Sequence, residues 1–246
     1  MTFKLGILEV GRPPENLSKT FGDYPSMFET LLKDQGGDWH YISYPVVDGQ
    51  LPQNVHDCDG WLITGSKHGV YDDLEWIDRL KTFLKNAYDE HVPIVGICFG
   101  HQILAEALGG KAEKSNKGWG CGVFTYYVLE SPNWVPEGLT SFSIEAYHQD
   151  QVTKLPEDGE VIASSDFCEF AAIDYKGRAL TLQGHPEFNK DYSVALFKER
   201  RGDTLPEDIA DHAIASSEAP MQIGEVAHMI VNFIQQAAVK EKQEGH

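Results

Sequence analysis

The sequence predicts an α/β fold: a mixed, mainly parallel sheet flanked by helices, with a small antiparallel β extension. Three observations carry this reading. Short apolar runs alternate with helical patterns through residues 3–110; shorter strand-like runs punctuated by Gly, Pro and Asp dominate residues 122–183; and a glycine-bracketed junction at 92–110 runs a buried strand straight into a helix.

In order, residues 3–10 (FKLGILEV) form an apolar strand ended by Gly-Arg-Pro-Pro, and Met27, Phe28, Leu31 and Leu32 then fall at helical spacing between Tyr24 and Lys33. Strands follow at Trp39 to Tyr44, Gly60 to Thr64 and Val92 to Ile97, with an amphipathic helix from Leu74 to Tyr88 and another over 101–108 closed by Gly109-Gly110. Next come the β-like runs GVFTYYVL, TSFSIEAYH, EVIASS, EFAAIDY and ALTLQ, then a helix over 188–200. The tail from Pro206 to Lys240 reads as helical, with Ile223, Val226, Met229, Ile230 and Phe233 as its apolar stripe. The expectation is a single domain over 1–246, of which 201–246 is a helical extension.

A chain of 246 residues can bury a full core without staples, and its hydrophobic share of 41% is that of a globular protein. Net charge is −18, so phosphate backbones and anionic membrane surfaces are repelled, and neither nucleic acid nor membrane is expected as a partner. The four cysteines, at 58, 98, 121 and 168, form no C-x-x-C pair, and no His/Cys cluster has zinc spacing; a disulfide framework and a metal are not indicated. The N-terminus reads as a first strand rather than a signal peptide, no apolar stretch approaches a membrane span, and the cytoplasm is the default compartment.

The informative segment is VPIVGICFGHQILAEALGG. Gly96 and Gly100 bracket Cys98 two residues away on either side, leaving room for a tight strand-to-helix turn that presents the sulfur above the carboxyl end of the sheet. The helix start supplies a positive dipole end that favours a thiolate, and the Phe99 N–H is placed to hold an oxyanion. A thiol nucleophile needs a base with an orienting carboxylate, and Gly184-His185-Pro186-Glu187 supplies both directly after a strand. In extended geometry positions i and i+2 share a side, so Glu187 can steady the His185 imidazole while Pro186 stiffens the link.

The segments LITGSKHGVYDD, GICFGHQ and GHPEF, in that order, resemble the class I glutamine amidotransferase family, in particular free-standing members similar to the amidotransferase part of GMP synthase. The likeness spans most of residues 3–200. It implies a flavodoxin-like sheet and a Cys-His-Glu triad that forms a γ-glutamyl thioester, with no cofactor. Position by position, it implies Cys98 as nucleophile, His185 as base and Glu187 as orienter. Gly65 and Ser66 stand where the family has an oxyanion Gly-Gly; Ser66 is a departure, although its backbone N–H remains available. Gln102, in the Cys-x-x-x-Gln position, falls beside bound glutamine, and His148, Gln149 and Asp150 fall near its α-amino and α-carboxyl groups.

The function expected is hydrolysis of glutamine or of a γ-glutamyl amide or peptide. No G-x-x-x-x-G-K-[ST] loop is present for ATP activation, so ammonia transfer would require a partner, a separate synthetase subunit. Two rivals remain. A Cys-dependent α/β-hydrolase of the dienelactone hydrolase kind would use Asp174 before His185 in nucleophile-acid-histidine order. A non-catalytic module retaining the fold is the other. The sequence does not fix the oligomeric state.

Overall fold

The computed structural model describes residues 2–244. The first half contains β1 (Lys4–Leu8), α1 (Glu15–Phe21), α2 (Tyr24–Lys33), β2 (His40–Tyr44), β3 (Gly60–Ile63), α3 (Glu75–Asp89), β4 (Ile94–Ile97) and α4 (Phe99–Ala107). The strand-rich part contains β5 (Lys111–Lys114), β6 (Gly120–Val128), β7 (Ser141–His148), β8 (Asp150–Lys154), β9 (Gly159–Ser164), β10 (Ala172–Tyr175) and β11 (Ala179–Leu182). The chain continues through α5 (Lys190–Arg200), α6 (Glu207–Ser216) and α7 (Ile223–Glu244).

Among the described residues nine strands make one sheet in the order β2-β1-β3-β4-β11-β10-β9-β6-β7. Neighbours from β2 to β11 are parallel, and those from β11 to β7 are antiparallel. The expected mixed, mainly parallel sheet of flavodoxin-like type is present. Most of the antiparallel strands extend the main sheet, and only β5 and β8 stand apart as a two-stranded ribbon.

Strand periodicity divides the apolar residues between two cores. Leu5 and Ile7 of β1 pack on one face with Phe28 of α2 and Met229, Ile230 and Phe233 of α7. Leu8 turns to the other, with Trp61 and with Ile77, Leu80 and Leu84 of α3. The central strand β4 is buried at every position, which is why it reads as a continuous apolar run. Asp23 starts α2 by accepting a hydrogen bond from the Ser26 N–H at 2.9 Å, with Pro25 in the first turn.

Three regions differ from expectation. The helix α1 buries only Leu17, too little apolar surface to leave a periodic pattern. The strands β5 and β8 are polar and bury Ala112 and Val152 on each other's side of the ribbon, so no apolar alternation marks them. The tail is two helices, because the chain turns over Ser217–Pro220 and Pro220 lacks the N–H a continuous helix needs. The last two positions of the extension expected over 201–246 lie outside the described residues. Among the described residues no helix is long and apolar enough to cross a membrane.

The sheet register positions the site. Ile63 pairs with Gly96 and Ile97 with Leu182, so β3, β4 and β11 end side by side. The residues that follow them, Gly65-Ser66, Cys98 and His185, emerge together at the carboxyl edge, where parallel sheets carry their ligand sites.

Candidate active site

Cys98 joins β4 to α4 with φ 53° and ψ −100°, left-handed backbone that costs a non-glycine residue on the order of 1–3 kcal/mol and is held only where surrounding packing imposes it. That packing is visible. A Cβ on Gly96 would lie 2.5 Å from the Gly100 carbonyl oxygen, and one on Gly100 would lie 2.6 Å from that of Ile63. The two glycines therefore permit the helix to start hard against the strands, as the spacing in the sequence predicted. The Cys98 N–H donates to the Leu182 carbonyl at 2.8 Å, tying the elbow to β11.

His185 and Glu187 are both buried, and His185 Nδ1 lies 2.7 Å from Glu187 Oε1. The imidazole stacks on Phe188 with ring centres 4.1 Å apart and planes 5° from parallel. Its other nitrogen, Nε2, is buried with no fully formed hydrogen bond, while the Cys98 sulfur is near enough to act on it. Gly65 measures the proximity independently: a Cβ there would lie 2.9 Å from His185 Cε1 and 3.8 Å from Cys98 Cβ. Burial works against a charged imidazole, yet the Glu187 carboxylate and the Cys98 sulfur outweigh it and raise the proton affinity of His185 well above that of an ordinary histidine.

The oxyanion-loop candidates follow β3. Thr64 Oγ1 accepts from the Val10 N–H at 3.1 Å, and Gly11 backs so closely on the loop that a Cβ would lie 2.6 Å from the Gly65 oxygen and 2.8 Å from Ser66 Cα. Ser66 Oγ accepts from the His68 N–H at 3.3 Å, so its extra side chain braces the loop. Phe99 buries its ring against Trp76 and opens α4, whose first N–H groups have no intrahelical acceptor.

A cavity of about 500 Å³ brings most of the candidates together: Gly65, Ser66, Cys98, Gln102, His148, Gln149, Asp150 and His185 all line it. Phe99 and Glu187 lie behind its wall. Gln102 Nε2 donates to the Asp150 carbonyl at 2.9 Å and to Gln183 Oε1 at 3.2 Å, which ties α4 to the start of β8. His148 Nδ1 lies 3.1 Å from the Asp150 carbonyl, and burial depresses its pKa to about 4. Asp150 accepts from the Tyr71 hydroxyl at 3.2 Å, and partial burial raises its pKa.

Sequence reasoning missed three neighbours. Gln183 Nε2 approaches Cys98 Sγ at 3.7 Å and reads in the sequence only as the polar end of a strand. Phe188, the last letter of GHPEF, supplies the surface under the imidazole. Glu145 is fully buried, exchanges a β-bridge with His185, and accepts the His185 N–H at 2.7 Å through its carbonyl. Residues opposed in such a bridge project to the same face, and burial raises the Glu145 carboxyl to about 7.

Asp174, the acid of the rival hydrolase reading, sits elsewhere. It pairs with Leu180 near the start of β11, at the end of the strand opposite to His185, and its carboxylate accepts from the Gly177 N–H at 2.9 Å. The structure separates the two groups that such a hydrolase would have to join. The remaining thiols, Cys58, Cys121 and Cys168, are free and buried. Among the described residues no group of three or more His, Cys, Asp or Glu is placed to hold a metal ion.

Fold and site together define an α/β protein of flavodoxin-like type with a thiol elbow facing a buried His–Glu pair. The family description "Glutamine amidotransferase class-I" matches residues 36–196, and the chain belongs to that family. Gamma-glutamyl peptidase 4 of Arabidopsis thaliana is 35% identical over 184 residues, 72% of each chain. The glutamine-hydrolyzing GMP synthase subunit of Archaeoglobus fulgidus is 28% identical over 72% of this chain and 91% of its own. A glutamine amidotransferase crystal structure from Methylobacillus flagellatus superposes with a TM-score of 0.77 over 98% of this chain and 96% of that one, at 18% identity, which bears on fold alone.

Proposed function

We propose that this protein hydrolyses the γ-amide bond of a γ-glutamyl compound through a thioester on Cys98. The observation that carries this is the meeting at one cavity of a strained cysteine and a histidine whose proton affinity is raised by a buried glutamate. His185 donates from Nδ1 to Glu187 and takes the Cys98 proton at Nε2 as the sulfur attacks. Sγ attacks the γ-carbonyl carbon, and the N–H groups of Ser66 and Phe99 receive the developing oxyanion, each such donor being worth roughly 3 kcal/mol. The tetrahedral adduct collapses with cleavage of the C–N bond, and the His185 proton leaves on the amine. The neutral imidazole then takes a proton from water, whose oxygen attacks the thioester carbon; C–S cleavage releases glutamate and returns the proton to the pair.

Gln102, Gln149, Asp150 and His148 form the wall that receives the α-amino and α-carboxylate end. Gln102 spends its N–H donors on Asp150 and Gln183, so its contribution to a ligand is to hold that wall in place. Likeness to the γ-glutamyl peptidase supports release of an amine or peptide by this chain acting alone. Likeness to the GMP synthase component supports a second reading, in which the amine is ammonia and a separate synthetase consumes it.

Glutamate release from glutamine and from γ-glutamyl amides by wild type and by Cys98→Ala tests the proposal. Release by wild type alone is expected, together with labelling of Cys98 by a diazoketone analogue of glutamine. Equal release by both proteins would overturn it. Turnover of glutamine alone, accelerated by a synthetase, would favour the ammonia-supplying reading.

A further inference from the structure

The reacting sulfur touches a side chain that the hydrolytic cycle above does not use. Gln183 directly follows β11, is fully buried, and its Nε2 lies 3.7 Å from Cys98 Sγ. A side-chain amide has two ends of similar size, and the end that faces a thiol decides what it does there. An N–H donates to a thiolate and stabilises it; a carbonyl oxygen repels it.

The backbone decides between the two ends. The Asp150 carbonyl can only accept, so the end of Gln102 that lies 2.9 Å from it is the Nε2 amino group. The second N–H of that nitrogen goes to Gln183 at 3.2 Å, where only an oxygen can receive it. Gln183 Oε1 is thereby turned toward Gln102, and Gln183 Nε2 toward the sulfur. One main-chain acceptor thus sets the polarity of both amides, and neither can turn over without bringing two donors or two acceptors together. Gln102 is itself buried, so water offers no replacement partner, and an unpaired amide group there is costly. The two ends of the contact with sulfur are also held by the main chain: the Gln183 N–H donates to the Ala171 carbonyl and the Cys98 N–H to the Leu182 carbonyl, each at 2.8 Å.

We propose that Gln183 is a donor to the Cys98 sulfur that stabilises its thiolate, and that Gln102 is a positioning residue acting through Gln183. This rests on the reading of Cys98 as the nucleophile. The N–H groups of Ser66 and Phe99 serve the substrate oxygen, whereas that of Gln183 serves the sulfur, as its proton passes to His185 and again when the C–S bond of the thioester breaks. No bond is made or broken at either amide. The position of Gln102 in the cavity wall, taken alone, predicts a role in binding substrate. The relay predicts a role in the reactivity of the sulfur with no substrate present.

The test follows alkylation of Cys98 by iodoacetamide against pH, read by mass spectrometry of the peptide containing residue 98, together with kcat and KM for glutamate release from γ-glutamylglycine. The proteins are wild type, Gln183→Met, Gln102→Met and the double variant, since Met keeps the length of glutamine and removes both amide ends. Gln183→Met is expected to slow alkylation at neutral pH by about tenfold, the size of one hydrogen bond to a charged group. The midpoint of its pH–rate curve should move upward, and kcat should fall in step while KM stays within about twofold. Gln102→Met frees the Gln183 amide to turn and should slow alkylation by about threefold. The double variant should match Gln183→Met alone, because Gln102 acts through that amide. If Gln183→Met does not fold, Gln102→Met carries the same comparison. Alkylation curves that coincide with wild type would overturn the relay. So would a Gln102→Met variant that raises KM alone, or a double variant in which the two losses multiply. Absence of glutamate release by wild type would overturn the hydrolase reading instead, and alkylation, which needs no substrate, would still decide the relay.

Discussion

The floor and the rim of the cavity are built differently. On the floor, Cys98, Gln102, His148 and His185 are each less than 7% exposed, and Gln102 Nε2 and the Nδ1 atoms of His148 and His185 are tied to neighbouring groups. On the rim, Tyr71 is 57% exposed, and Lys67 and Lys114 extend into solvent. A preorganised floor suits one chemistry at one carbonyl carbon, and a solvated rim can be altered without disturbing it. Substitutions on the floor should therefore change rate, and substitutions on the rim should change choice of substrate.

The largest effect expected on the floor is that of Cys98→Ala, a loss of at least about 10⁴-fold in kcat with the circular dichroism spectrum unchanged. Glu187→Gln comes next, with kcat reduced by about 10²- to 10⁴-fold. Its pH profile gives the sharper reading. Glu187 is the main group raising the proton affinity of His185, so without the carboxylate the imidazolium is lost at lower pH, and the alkaline limb of kcat/KM should move down. An alkaline limb that stays in place would assign it to another group.

Glu145 joins the floor through its bridge to His185, but it lies under α5 rather than at the cavity. Its carboxyl is raised from 4.5 to about 7, so the folded state keeps a proton that the unfolded state has already released. Its contribution therefore lowers stability as pH rises from 4.5 to 7 and is constant above that. Glu145→Gln should match wild type in denaturant stability near pH 4 and exceed it by up to roughly 3 kcal/mol at pH 8. A difference that does not grow with pH would contradict this burial cost. The smallest effect belongs to the rim: Lys67→Ala should change folding stability by less than about 0.5 kcal/mol in the same assay.

The same division explains what could be read from the sequence. The elbow was legible because a tight strand-to-helix turn demands glycine at fixed offsets, and Gly96 and Gly100 occupy those offsets, where an added Cβ would meet backbone oxygens at 2.5 and 2.6 Å. The His185–Glu187 pair was legible because both groups lie within three residues of one strand end. Glu145 was not. The alternation in SFSIEAYH assigns it to a solvent face, but α5 and α6 cover that face with Phe197 and Ala213. Gln183 meets Cys98 only once β4 and β11 are side by side, a pairing that joins residues 85 apart in the chain, whereas Phe188 stacks on the nearby His185, a contact that no periodicity marks. The break in the C-terminal tail at Pro220 was in plain view, masked by the apolar stripe of α7.

The central claim is that Cys98 carries the γ-glutamyl group during turnover. Acid quenching within milliseconds of mixing with γ-glutamylglycine, followed by mass spectrometry of the peptide containing residue 98, tests it directly. A γ-glutamyl adduct on Cys98 that forms and decays at rates compatible with kcat is the expected result. Steady glutamate release with that peptide unmodified at every time point, or undiminished turnover by Cys98→Ala, would contradict it.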